Sequence, residues 1–133
     1  MSIKAVIDTN VLVSAFWTRN PKSPTSKIAQ ALLSGKFTAL INDDIISEYD
    51  DVLHRAKFGF AEDDVNAMIS YIKAVGEEIV PADSDEDFPD PTDKVFFCTA
   101  LAGKGNLVTG NLKHYPKSAI VVTPAEFCKL ARL

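Results

Sequence analysis

A chain of 133 residues is long enough to bury a core of its own, and 47% apolar against 24% charged residues describes a globular protein. Eighteen acids against fourteen bases leave a formal net charge of −4, which excludes a broad, purely electrostatic grip on nucleic acid but not a small acidic site loaded with metal. No apolar run approaches the roughly 18 residues of a membrane span. The opening stretch, broken at Asp8, lacks the form of a signal peptide, so a membrane-free, cytoplasmic protein is expected.

In chain order, residues 3–8 read as a short buried strand and 9–17 as a short helix. The loop "TRNPKSP" is broken by Pro21 and Pro24. Ser23 caps a second helix that runs to about Leu33 and ends at Gly35. Residues 37–42 form a second strand. The segment 43–58 is an amphipathic helix with Ile45, Ile46, Tyr49, Val52, Leu53 and Ala56 on one stripe. Another helix over 61–75 turns Val65, Met68, Ile69 and Ile72 inward. "EEIVP" is a third strand, and the polar loop "ADSDEDFPDP" leads to a buried helix beginning at Asp93. "NLVTG" and "AIVVTP" are strands four and five, and "PAEFCKLARL" is a closing helix. Cys98 and Cys128 sit among apolar neighbours and read as small packing residues.

Short apolar strands alternating with helices predict one α/β domain over 1–133, a parallel sheet covered on both faces. In such sheets the site lies at the carboxyl ends of the strands. Asp8 follows strand one, Asn42 and Asp43 follow strand two, and Thr109-Gly110-Asn111 follows strand four. Alone, Asp8 reads as a helix cap and Asp93 as an acid favoured by a helix dipole. Helical projection leaves both Glu48 and Asp50 as inward candidates from the third helix. Three carboxylates on one rim repel each other unless a hard divalent cation joins them, which suits Mg²⁺ or Mn²⁺. His54 and His114 are isolated, no His/Cys cluster has zinc spacing, and no nucleophile elbow or Gly-rich phosphate loop is present. A phosphoacceptor signalling domain would want an acid pair directly after strand one and a lysine after strand five; here Thr9-Asn10 and Thr123-Pro124 stand there.

The order "VIDTNVLVSA", Glu48 in a helix, "DPTDKVFFCTALA", "LVTGNLKHYP" and "VVTPAEF" resembles the PIN domain family. Within it, the chain is similar to the branch of toxins from toxin–antitoxin pairs, the relatives of VapC toxins. The resemblance implies a three-layer α/β/α fold with a central parallel sheet. It also implies a Mg²⁺- or Mn²⁺-dependent ribonuclease that leaves 5′-phosphate and 3′-hydroxyl ends. By position, it assigns Asp8, Glu48 and Asp93 as metal ligands, which decides between Glu48 and Asp50. Asn111 stands where a fourth acid often follows, which weakens the case for a second metal. Asn10 and Thr109 match polar positions of the cleft. An RNA substrate, a cognate antitoxin and a homodimer are the implied partners. Lys113, His114 and Lys117 are candidates for the RNA backbone. The rival within the same fold is a catalytically weak scaffold.

Overall fold

The computed structural model describes residues 2–133. Five strands form one parallel sheet in the order β3-β2-β1-β4-β5. They are β1 (Lys4–Ile7), β2 (Thr38–Ile41), β3 (Glu77–Glu78), β4 (Asn106–Val108) and β5 (Val121–Val122). Six α-helices complete it: α1 (Thr9–Trp17), α2 (Pro24–Leu33), α3 (Asp43–Leu53), α4 (Glu62–Val75), α5 (Pro91–Ala102) and α6 (Pro124–Leu130). Helix α5 packs on β1, β2 and β4, α3 packs on α4 and α5, and α2 packs on α1 and α6. The result is the expected three-layer sandwich. All strand pairs run parallel, so every connection crosses over and every strand delivers its carboxyl end to the same rim.

Strand β1 is the centre of the sheet. Ala5, Val6 and Ile7 are buried, as the unbroken apolar run requires of a strand covered on two faces. The chain first travels from β1 through β2 to β3, then returns to place β4 on the other side of β1. The direction of winding therefore reverses between β1 and β4, and a crevice opens where their carboxyl ends diverge.

Helix ends account for most departures from the expected boundaries. The third helix stops at Leu53 instead of residue 58. His54 Nδ1 lies 2.7 Å from the Asp50 carbonyl, so the ring occupies an acceptor that a continuing helix would use. Residues 55–59 then close short turns, and Gly59 takes φ +64°, a conformation that favours glycine. Ala56 is consequently exposed, off the stripe assigned to it. The buried helix starts earlier than Asp93: Pro91 opens it and the Asp90 carboxylate accepts the Thr92 N–H at 2.9 Å. The third strand is limited to two residues, and Val80 is 87% exposed. Strands four and five are likewise trimmed to the residues that pair.

The helices over 43–58 and 61–75 are expected to keep apolar surface for a homodimer; most of it is covered within the chain, while Val75 stays 47% exposed. Ile45, Tyr49 and Leu53 of α3 and Val65, Ile69 and Ile72 of α4 are all buried within the chain. Among the described residues no helix is long and apolar enough to cross a membrane.

Tyr49 ties the α3 layer to the central strand. Its ring is buried edge-on to Phe96, and its hydroxyl donates to the Ile7 carbonyl, one residue before Asp8. Tyr49→Phe is expected to cost about 1–3 kcal/mol, since the carbonyl loses its donor in a site closed to water. Urea denaturation measures this, and an unchanged midpoint would show that the carbonyl is satisfied without the hydroxyl.

Candidate active site

The crevice between β1 and β4 is organised around one carboxylate. The Asp8 N–H donates to the Val108 carbonyl at 2.9 Å, so the sheet itself fixes the backbone of that residue. Its side chain is buried, only 9% exposed. Three groups converge on its Oδ2 atom: the Thr109 hydroxyl at 2.7 Å, the Tyr115 hydroxyl at 3.2 Å and the Asn10 amide at 3.4 Å. Asp8 stands at the cap position of α1, yet its carboxylate makes no side-chain cap hydrogen bond. The cap reading therefore fails here, and the carboxylate is directed to the crevice.

Asp93 reaches the same crevice from the first turn of α5. The cap role belongs to Asp90, which frees Asp93 to face inward. Tyr115 Oη lies 3.3 Å from Asp93 Oδ1, so one phenol stands between two carboxylates contributed by β1 and α5. A phenol carries a single proton and can donate to only one of them at a time. His114 Nδ1 lies 3.7 Å from Asp93 Oδ2 and adds attraction whenever its ring is protonated.

Glu48 projects from α3 and is half-buried, whereas Asp50 is exposed and pairs with His54. Geometry thus separates the two residues that helical projection left level. The electrostatics link Glu48 to the rim. Its pKa is raised above the usual carboxylate range, first by burial, then by Asp51, with Asp90 and Asp8 adding and Arg55 opposing. Asp93 is raised by burial and then by Asp8 and Asp90, against His114 and Tyr115. Burial also pushes Asp8 up, partly offset by its Thr109 and Tyr115 hydrogen bonds. The Tyr115 hydroxyl is raised far above its ordinary value by burial and by the two acids it faces. Four carboxylates, Asp8, Glu48, Asp90 and Asp93, therefore share one field.

Other residues of the sequence reading are placed differently. Asn111 is exposed, and its side chain makes no hydrogen bond to the acids among the described residues. Its backbone N–H donates to the Thr109 hydroxyl at 3.0 Å, which in turn donates to Asp8. Asn42 serves the frame: its carbonyl caps α3 and its amide donates to Thr99 and to the Ile79 carbonyl. Asp43 is exposed beside it. Lys113 and Lys117 are exposed on the segment after β4. Asn10 bridges the two sides of the crevice, accepting the Gly110 N–H at 3.2 Å.

Tyr115 and Asp90 were missed as site residues. Tyr115 stands inside the "LKHYP" segment, where a tyrosine after a lysine and a histidine reads as loop. Its role depends on the short 3₁₀ turn Leu112–His114, which carries the ring back over β1. Asp90 had a usable signal, an acid immediately before Pro91, the pattern of a cap followed by a first-turn proline.

Oxygen donors from carboxylates whose charge is raised in cost by burial and by one another suit a hard divalent cation. No group of three His, Cys, Asp or Glu side chains among the described residues converges closely enough to hold one ion. The donor chemistry fits, while the side chains do not converge and the Tyr115 hydroxyl stands between Asp8 and Asp93.

An acidic strand-end crevice at the switch point of an α/β/α sandwich defines a class of protein in which metal-dependent phosphodiester chemistry is common. The PIN domain model matches residues 4–113, and the chain belongs to the PIN domain family. That family is generally a fold of metal-dependent nucleases, most of which act on RNA. No curated protein matches the chain.

The raised carboxyl groups carry a pH consequence. An acid whose folded pKa exceeds its unfolded pKa binds more protons in the native state. Its contribution is fully present below the unfolded value and is lost as pH rises through the raised folded one. In chelator, Asp8→Asn is therefore expected to melt higher than the parent near neutral pH and to show a flatter loss of stability between mildly acidic and neutral pH. Thermal melts across that range check it; a variant with the parent's slope would show that Asp8 does not carry the repulsion.

Proposed function

We propose that this chain is a Mg²⁺- or Mn²⁺-dependent endoribonuclease, the toxin of a toxin–antitoxin pair, acting as one domain over residues 1–133. The observation that carries the reading is the meeting of Asp8, at the end of β1, and Asp93, in the first turn of α5, on one phenol in the switch-point crevice. Membership of a nuclease family supports the reaction type. The pairing of β5 with β4 and the burial of Phe127 support including the segment beyond residue 113 in the same unit.

In this reading Asp8, Glu48 and Asp93 hold the cation. Such an ion polarises a phosphodiester and lowers the pKa of water. The chain's own contribution is orientation. Thr109 and Asn10 fix the Asp8 carboxylate from two sides, and Tyr115 sets the separation of Asp8 from Asp93. Burial of Asp8 keeps bulk water from screening the charge. A cognate antitoxin and a homodimer belong to this reading, and co-expression with a small reading frame beside the gene tests the former.

Asp8→Asn and Asp93→Asn are each expected to lower Mn²⁺-dependent cleavage of a mixed RNA substrate by at least about a hundredfold, the scale of losing several kcal/mol of charge stabilisation. Calorimetry should show Mn²⁺ affinity falling in both. Full activity in both variants would remove the proposed site.

A second reading is a weakly cutting scaffold. It is favoured by the neutral Asn111 and by the absence of three converged acids among the described residues. Asn111→Asp distinguishes the two. On the nuclease reading, an added carboxylate near Thr109 tightens a second cation and raises cleavage at low Mn²⁺, while lowering the melting temperature in chelator through added repulsion. Melting and metal response identical to the parent would place residue 111 outside the metal site.

A further inference from the structure

The most exposed aromatic residue among those described shares a helix, and a shallow open depression, with Asn10 of the acidic crevice. Trp17 is 63% exposed at the last position of α1. A groove of about 360 Å³ runs along that helix, lined by Asn10, Val13, Ser14, Trp17 and Thr18. Asn10 is the residue whose amide reaches Asp8. Seven residues of helix separate Asn10 from Trp17, about 10 Å along the axis, which is on the order of a few nucleotides.

Trp17 does not stand alone. Phe58 and Phe60, from the turn after α3, lie with their rings nearly parallel, 8° apart and 5.4 Å between centroids. Trp17 meets Phe58 edge-on at 5.6 Å and Phe60 at 6.4 Å, and Phe16 backs Phe60 at 5.2 Å. Both phenylalanines are half-buried and hold the indole in place, while most of the tryptophan stays exposed. Lys57 Nζ sits 5.1 Å from the Phe58 centroid.

Charge argues for the occupant. The protein is acidic overall, yet residues 9–42 contain no aspartate or glutamate and carry Arg19, Lys22, Lys27 and Lys36. Arg19 and Lys22 follow Trp17 in the next five residues, and Lys57 adds a cation beside Phe58. A protein partner would be served by an apolar patch alone. Open π-faces beside a segment rich in cations and free of acids suit a polyanion with unpaired bases. Beyond Phe60 lies a hollow lined by Asp50, Asp51 and Glu62 together with His54 and Arg55, in which Arg55 pairs with Asp51 and His54 with Asp50.

We infer that Trp17, backed by Phe58 and Phe60, is a base-stacking subsite that seats single-stranded RNA so that its backbone runs along α1 into the Asp8 crevice. The subsite rests on the nuclease reading for its substrate but not for its geometry. It makes the enzyme selective for unpaired RNA, because a base already stacked in a duplex cannot lie on the indole.

Trp17 is the one tryptophan of the chain, so its emission reports the subsite directly. The metal-free protein in chelator is titrated with a ten-nucleotide 2′-O-methyl oligouridine, which cannot be cut by attack of its 2′-oxygen. Saturable quenching is expected, and a duplex of the same length should quench less. With a labelled oligouridine, Trp17→Ala should weaken binding about tenfold, the scale of one lost stacked base, and Trp17→Phe should restore part of it. Trp17 is exposed enough for these variants to fold. Emission unchanged at oligonucleotide concentrations that saturate the label overturns the subsite, as does equal quenching by the duplex. A light-scattering mass that falls from dimer to monomer on Trp17→Ala also overturns it, in favour of a protein interface. Metal-dependent cleavage by the parent without quenching sinks the subsite and leaves the nuclease reading standing. Quenching without cleavage does the reverse.

Discussion

A carboxylate held almost out of water at the end of the central strand is the constraint around which this fold is arranged. Asp8 cannot withdraw, because its own N–H is bonded to Val108 and the strand before it is buried on both sides. An ionised group in that position must be satisfied by donors brought to it. They come from three places: Asn10 in the first turn of α1, Thr109 at the end of β4, and Tyr115 beyond the 3₁₀ turn. The loop after β4 is thereby fastened to the first strand by contacts between residues a hundred positions apart.

Asp93 has no equivalent set of donors. It lies on a helix whose cap has been taken by Asp90, and its oxygens meet a phenol that is shared with Asp8. Two acids, one bridging proton and a third acid in the same field form an arrangement that gains most from a positive charge. Stability and function pull against each other at such a place. Acids raised by burial, and in Asp93 and Glu48 also by the Asp8 charge, are a liability in the metal-free protein and suit a cation as ligands. This is the physical reason for reading the cluster as a site rather than as a solvated edge.

Much of this was legible in the sequence, for identifiable reasons. Strand β1 and helices α1 and α2 fall within a residue or two of expectation, because apolar runs punctuated by Asp8, Ser23 and Gly35 leave few alternatives. Asp8 and Asp93 could be placed on one rim from the alternation of strands and helices alone, and Glu48 needed the resemblance before Asp50 could be set aside. The end of α3 was not legible, since it turns on a histidine ring competing for a backbone carbonyl, a contact with no periodic signature. Tyr115 was invisible for a related reason. Its importance comes from where a short 3₁₀ turn aims it, and loop geometry is set by tertiary contacts rather than by local propensity. Asn111 illustrates the limit of position-by-position transfer. It occupies the right place in the order of motifs, yet its side chain is exposed and it acts on Asp8 only through its backbone and Thr109.

Net charge is the property most easily misread here. A total of −4 argues against electrostatic capture of RNA by the whole surface. The acids, however, are absent from residues 9–42 and present in number from Asp43 onward. The surface is therefore divided: Arg19 and Lys22 follow Trp17 at the end of α1, which itself carries no charged residue, while acids gather around the crevice. On the nuclease reading, those acids repel a phosphate chain until a cation neutralises them. Asn10 stands at the boundary, with its amide turned to Asp8 and its carbonyl turned to Gly110, uncharged and bonded on both sides. A neutral residue is what that boundary requires: an acid there would extend the repulsive zone into the groove, and a base would compete with the cation for Asp8.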